Sequence, residues 1–150
     1  MKERLSIIIS SFLYLGYSPV APGTVGTLGA VILFYLISGF SSLFYFFFII
    51  ALIILGVWVS EIARMRLGGS DPSSIVIDEV CGFLVTMFMI HPTMINTVIG
   101  FLLFRFFDIL KPPPIRRLET LSGGVGIVAD DVLAGIYANV LLQIFVRVSG

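Results

Sequence analysis

The feature that most constrains this chain is a long stretch, from Leu5 to Ser60, that contains no charged residue. A second stretch, from Val80 to Phe104, contains no Asp, Glu, Lys or Arg. Apolar residues make up 58% of the 150 residues and charged residues 12%, against averages of about 45–50% and 25% in soluble domains. The sequence therefore predicts an integral membrane protein, and its length suits one domain over residues 1–150 rather than two.

Turn residues divide the first stretch into helical segments. Leu5–Tyr17 is about half of a full span, so it either lies at the membrane interface or dips into the bilayer. The prolines and glycines that follow precede a helix expected from about Val25 to Ile37, with Thr24 in position to cap it. Residues 38–42 form a turn, and Leu43–Val59 is the clearest transmembrane segment.

The second stretch predicts two more helices, and a last helix follows near the C-terminus. His91-Pro92 indicates a hairpin turn, and Lys111 with three prolines behind it ends the second helix of this hairpin. The last helix is expected over Val132–Val146, with one inward stripe of small and polar residues: Asp131, Gly135, Asn139 and Gln143. Together the segments predict an all-α bundle of about four to five short transmembrane helices.

The hairpin also predicts which charged residues share one side of the membrane. Glu79 and Arg105 are about equally far from His91, roughly 20 Å each along a helix. The basic residues near the spans fall on the same side in this arrangement: Lys2, Arg4, Arg64, Arg66, Lys111, Arg116 and Arg117. The turns at 38–42 and 91–93 carry no Lys or Arg, so the positive-inside rule predicts that the charged side is cytoplasmic.

Three charged residues end the hairpin in the segment FRFFDILKPPP. Arg105, Asp108 and Lys111 are three residues apart, so on a helix they project from roughly one face. Charges on an otherwise apolar membrane helix are usually paired or functional. The structural alternative is an ion-pair ladder at a helix end that extends into water.

Six carboxylates are expected on this charged side: Asp71, Asp78, Glu79, Asp108, Asp130 and Asp131. Clustered carboxylates repel one another unless a cation or protons neutralise them. Because the ligands are all oxygens, with no usable set of Cys or His residues, the cluster indicates Mg²⁺. Arg105 and Lys111 lie beside it and are able to hold phosphate.

Two glycine-rich loops, Gly23–Gly26 and Gly123–Gly126, lead into predicted helix N-termini, whose backbone N–H groups bind anions well. Metal ligands, phosphate-binding cations and a membrane surface together predict phosphoryl chemistry on a lipid.

Several mechanisms and partners are excluded or disfavoured by what the chain lacks. The single histidine, His91, lies on the opposite turn, so it is not the nucleophile of a histidine-dependent lipid phosphatase. Cys81 has no Arg-rich phosphate loop behind it and is better explained as a small buried residue. A net charge of +0 offers no argument for nucleic-acid binding. Metal-activated water and an unconventional Asp nucleophile both stay open, and the oligomeric state is not readable.

Four sequence blocks resemble the signature blocks of the phosphatidylglycerophosphatase A family, in the same order. They are SPVAPGTVGTLGA, DPSSIVIDEVCG, FRFFDILKPPPI and GGVGIVADDVLAG. The resemblance implies a Mg²⁺-dependent enzyme of the bacterial cytoplasmic membrane that removes the terminal phosphate of phosphatidylglycerophosphate to give phosphatidylglycerol. The phospholipid substrate would then be bound at the cytoplasmic face.

The resemblance also implies roles for particular residues of this chain. The metal and catalytic set would comprise Asp78, Glu79, Asp108, Asp130 and Asp131, with all of these except Asp130 as metal ligands. The phosphate contacts would be Arg105 and Lys111, joined by residues of the two glycine-rich loops: Gly23, Thr24 and Gly124.

Two other classes of membrane protein are considered beside this one. A CDP-alcohol phosphotransferase also gathers aspartates around a metal, but its DG…AR…G…D…D spacing is absent here. A small transporter or cation channel would line its path with acidic residues, yet the segments 25–37 and 43–59 are almost wholly apolar.

Overall fold

The computed structural model describes residues 2–68 and 72–149, and all regular structure in these ranges is helical. One 3₁₀ turn, Leu15–Tyr17, accompanies seven α-helices: α1 Lys2–Ser10, α2 Pro22–Ile37, α3 Ser42–Leu67, α4 Ile77–Thr86, α5 Met94–Leu110, α6 Ile115–Leu118 and α7 Gly124–Ser149. The prediction of an all-α fold is therefore confirmed for the described residues.

The short helix α4 is the centre of the bundle. Eight of its ten residues are buried, and it packs against α2, α3, α5 and α7. Its most extensive packing is with α7, where the two backbones meet because Gly82 and Gly135 carry no side chains. A Cβ added to Gly135 would collide with the carbonyl oxygen of Gly82. Small residues at such crossings are typical of helices that pack inside a membrane.

The outer surface of the bundle is apolar. Large side chains of α3 are more than half exposed, among them Phe47, Ile54 and Trp58. By length and composition, two of the described helices are able to cross a membrane: Ser42–Leu67 and Gly124–Ser149. The inward stripe predicted for α7 is confirmed, because Asn139 donates hydrogen bonds to the carbonyls of Thr86 and Phe88. These carbonyls lie at the C-terminus of α4, where a helix leaves its last carbonyl groups unpaired.

Several predicted helix boundaries are wrong. Helix α2 begins at Pro22, after Ala21 in a left-handed conformation (φ 44°), so Thr24 lies inside the first turn and does not cap the helix. The helix predicted to begin at Val132 instead begins at Gly124, which places Asp131 inside the helix. The early start depends on packing, because Gly124 lies against the carbonyl of Val57 in α3, where a side chain would not fit.

The N-terminal segment is not one helix. Between α1 and the 3₁₀ turn, three consecutive residues, Phe12, Leu13 and Tyr14, have positive φ angles. Helix α1 packs on α3, and the 3₁₀ turn packs on α2. The segment therefore folds back on the bundle.

The two ends of the bundle differ as predicted. The turn at 38–42 and the turn at His91-Pro92 line the same cavity, so both lie at one end. At the other end, Glu61 of α3 contacts Gly124 of α7. The hairpin therefore places α4 and α5 side by side, with their charged ends beside the start of α7.

Candidate active site

Three carboxylates from two helices form the centre of the charged end. Asp78 and Glu79 lie in the first turn of α4, and Asp131 lies in the second turn of α7. Each offers an oxygen that lies within 4.8 Å of the oxygens of the other two. The close contact of α4 and α7 brings them together, since a Cβ on Gly82 would lie 2.6 Å from the carbonyl oxygen of Asp131.

This acid cluster, which we define as Asp78, Glu79 and Asp131, is poorly satisfied by the protein itself. Asp131 is only 3% exposed. Glu79 Oε2 and Asp131 Oδ2 are buried and have no hydrogen-bond partner among the described residues. Buried carboxylates that face one another repel unless a cation or protons compensate them. The cluster is therefore able to hold a metal ion.

Helix α5 adds an ion pair beside the acid cluster. Arg105 Nη1 donates a hydrogen bond to Asp108 Oδ2, and the two side chains are 17% and 12% exposed. The carboxyl of Asp108 also lies within hydrogen-bonding reach of Asp131. The pair therefore faces the interior of the bundle. An ion-pair ladder that extends into water would instead leave both side chains exposed.

The N-terminus of α2 approaches the same point from the other side. A Cβ added to Gly23 would collide with Glu79 Oε1 and lie 3.4 Å from Arg105 Nη1. Gly23 thus lies in close approach to the acid cluster. Thr24 follows in the same first turn, where backbone N–H groups have no acceptor within the helix. Arg105 and the start of α2 together form a place for an anion next to the carboxylates.

Lys111 has a different environment from Arg105. Its ammonium donates to Asp130 Oδ2 and Glu119 Oε1, both at 2.7 Å. Burial by itself would lower the pKa of Lys111, but these two hydrogen bonds, together with the negative charges of Asp130 and Asp131, raise that pKa above its ordinary value. The charged ammonium therefore joins α7 to the segment after α6, and we call this arrangement, Lys111 with Asp130 and Glu119, the lysine bridge.

Gly124 is engaged within the protein. Its N–H donates to Glu61 Oε2 at 2.7 Å, and Glu61 also accepts two hydrogen bonds from Arg64, at 2.6 and 2.8 Å. This N–H is therefore not available to a phosphate. No signal in the sequence distinguishes Glu61 as a residue that caps a distant helix. Asp71 lies outside the described residues.

Comparison with known proteins identifies relatives of this chain. The family model described as Phosphatidylglycerophosphatase A matches residues 8–146. A Bacteroides thetaiotaomicron protein with the provisional name phosphatidylinositol-3-phosphatase is 35% identical over 93% of this chain and 92% of its own length.

Two phosphatidylglycerophosphatases A also match. The one from Escherichia coli is 34% identical over 85% of this chain and 75% of its own length. The one from Haemophilus influenzae is 39% identical over 81% and 77%. No solved structure matches. The family model covers nearly the whole chain, including all three residues of the acid cluster. The chain therefore belongs to the phosphatidylglycerophosphatase A family.

Proposed function

We propose that this protein hydrolyses the terminal phosphate of phosphatidylglycerophosphate, releasing phosphatidylglycerol and inorganic phosphate. Family membership and the names of two relatives support this reaction. The observation that carries the proposal is the buried acid cluster with Arg105 and the start of α2 beside it. Such a site offers oxygens for a cation and donors for a phosphate, the two groups that metal-assisted phosphoryl transfer uses.

The acid cluster suits Mg²⁺, and we infer that Asp78, Glu79 and Asp131 hold it, with Asp108 as a fourth ligand or as the group beside it. The donor set consists of carboxylate oxygens alone, which hard divalent cations prefer. Two of these oxygens, on Glu79 and Asp131, have no other partner among the described residues. When bound, the ion neutralises the carboxylates and stabilises negative charge on a transferring phosphoryl group.

The residues around the acid cluster bind and orient the phosphate. Arg105 presents a planar guanidinium that is able to hold two phosphate oxygens, and Asp108 keeps it in position. The first-turn N–H groups of Gly23 and Thr24 add donors from α2. Water is the nucleophile in this proposal, and carboxylates of the cluster position it. Asp130 is held by Lys111 and supports the site from the lysine bridge.

We further propose that the protein crosses the bacterial cytoplasmic membrane several times, with this site at the cytoplasmic face. The support is the contrast between the two ends, since Arg64 and Lys111 lie at the site end while the opposite turns carry no Lys or Arg. Single cysteines at Ser41 and Ser122 in a Cys81→Ala background test the orientation. Labelling of both from the same side of the membrane would contradict it.

A second substrate is favoured by the Bacteroides relative, whose provisional name gives phosphatidylinositol 3-phosphate. Both lipids carry a phosphomonoester on a polyol, so one site is chemically able to take either. Specificity is a ratio of kcat/KM values for the two lipids. We propose phosphatidylglycerophosphate because the two relatives from Escherichia coli and Haemophilus influenzae carry that name.

The test is phosphate release by the detergent-purified protein. We expect release from phosphatidylglycerophosphate that stops in excess chelator and returns with Mg²⁺, while Ca²⁺ supports it poorly because it prefers looser coordination. Full activity in excess chelator would contradict the proposed requirement for a metal ion. Faster phosphate release from phosphatidylinositol 3-phosphate would make that lipid the preferred substrate instead. No phosphate release, with ion flux in liposomes instead, would favour the channel alternative.

A further inference from the structure

A polar cleft opens beside the acid cluster. It has a volume of about 400 Å³ and lies between α3, the segment after α6 and the first two turns of α7. Its polar lining includes Arg64, Glu119, Thr120, Ser122 and Asp130. The volume falls in the range of small-molecule sites, about 300–1,000 Å³. Asp130 lines the cleft and is close enough to Asp131 for their two charges to interact, so the cleft adjoins the acid cluster.

Asp130 has one unsatisfied oxygen. The residue is 5% exposed, and its Oδ2 accepts a hydrogen bond from Lys111 at 2.7 Å. Its other oxygen, Oδ1, is buried and has no hydrogen-bond partner among residues 2–68 and 72–149. A buried acceptor without a donor is rare in folded proteins and needs an explanation. Because Asp130 lines the cleft, a hydroxyl group of a ligand there would supply the donor once the carboxylate turns its Oδ1 toward the cleft.

The charges around the cleft disfavour a second phosphate group. Arg64 is held by two hydrogen bonds to Glu61, and Lys111 is held by Asp130 and Glu119. Each of these cations is thus already paired with a carboxylate. The cleft therefore suits a neutral group that donates hydrogen bonds.

We propose that this cleft is the subsite for the polyol of the substrate head group, and that Asp130 Oδ1 accepts a hydrogen bond from its free hydroxyl. The inference rests on the proposed function, in which the terminal phosphate lies between Arg105 and the acid cluster. The polyol is one ester bond away from that phosphate, so it must lie directly beside the acid cluster. Asp130 is then a residue of specificity, not a metal ligand.

The first experiment compares phosphatidylglycerophosphate with an analogue in which hydrogen replaces the free glycerol hydroxyl. We expect the protein to prefer the hydroxylated lipid by at least about tenfold in kcat/KM. Asp130→Ala should reduce this preference to about one, while Asp130→Asn, which keeps an oxygen acceptor, should retain part of it. Any general loss of turnover cancels in the ratio. An unchanged preference in Asp130→Ala would overturn the proposal.

The second experiment fills the cleft with a large side chain. It tests the proposed subsite even if the Asp130 variants are too slow to measure. Ser122→Trp should lower kcat/KM for phosphatidylglycerophosphate at least about tenfold, mainly through KM, because its side chain occupies the polyol site. Val125→Trp is the matched control, since Val125 is exposed on the same part of α7 and does not line the cleft.

Equal kcat/KM in Ser122→Trp and the unmodified protein would overturn the subsite and leave the proposed function standing. An unmodified protein that releases no phosphate from this lipid would reject the proposed function itself.

Discussion

Asp130 and Asp131 are neighbours in α7, and both are more than nine-tenths buried, yet their surroundings are opposite. Asp130 belongs to the lysine bridge, where Lys111 neutralises it. Asp131 belongs to the acid cluster, where it faces Asp78 and Glu79. Successive residues of a helix point about 100° apart, so the two side chains meet different elements. Two adjacent carboxylates thus have different tasks: Asp130 is paired through Oδ2 with a cation of the protein, whereas Asp131 faces other carboxylates and requires a bound ligand.

The largest expected effect is that of Asp131→Asn. We expect kcat to fall at least about a thousandfold, which corresponds to about 4 kcal/mol of transition-state stabilisation. In excess chelator, the same variant should unfold at a higher temperature than the unmodified protein, because one of three mutually repelling carboxylates has been removed. Thermal unfolding in detergent and phosphate release measure the two effects.

A control for this variant lies two turns further along α7. Asn139→Ala removes hydrogen bonds to the carbonyls of Thr86 and Phe88, so it should cost stability, about 1–3 kcal/mol, with little change in kcat. If Asp131→Asn behaved in the same way as Asn139→Ala, the acid cluster would be a structural feature.

The next effect tests the ion pair that α5 places beside the acid cluster. Asp108→Asn and Arg105→Lys should each lower kcat by about a hundredfold, or about 2.7 kcal/mol. Lys at position 105 keeps the charge but loses the planar fork that holds two phosphate oxygens. Steady-state kinetics with an unfolding scan check this prediction. A folded Asp108→Asn protein with near-native kcat would return the pair to a purely structural role.

Lys111→Met tests the lysine bridge directly. It leaves the buried Asp130 carboxylate without its cation, and we expect a loss of about 1–3 kcal/mol in the free energy of unfolding. The fall in kcat should stay within about tenfold, because Lys111 acts through Asp130. A loss of kcat as large as that of Arg105→Lys would show that Lys111 touches the phosphate, as the sequence predicted.

The smallest effect is expected at the outer end of the lysine bridge. Glu119 is 44% exposed in its side chain, and exposed ion pairs contribute about 0–1 kcal/mol. Glu119→Gln should therefore leave the unfolding temperature and kcat nearly unchanged. A clear loss of stability in Glu119→Gln but not in a Glu→Gln exchange elsewhere would mean that Lys111 depends on both carboxylates.

Much of the site was predictable because its helices are regular. Equal spacing from His91 placed Glu79 and Arg105 at one depth, and the structure confirms their proximity through Gly23. The predicted cap at Thr24 failed because Ala21 adopts a left-handed conformation and starts the helix earlier. The late start predicted for α7 failed because glycines normally indicate a loop, whereas here they allow close packing against α3.

The sequence by itself determined that the chain is apolar and helical, which end of the bundle is charged, and which family it resembles. These properties are local, since they depend on composition, helical spacing and contiguous motifs. Only the tertiary structure decided which oxygen meets which partner: that Glu61 takes the N–H of Gly124, that Lys111 holds Asp130, and that Asp131 joins Asp78 and Glu79. Those pairings depend on how far α7 is turned and shifted against α3 and α4, which the backbone contacts at Gly124 and Gly135 set across long distances in the chain.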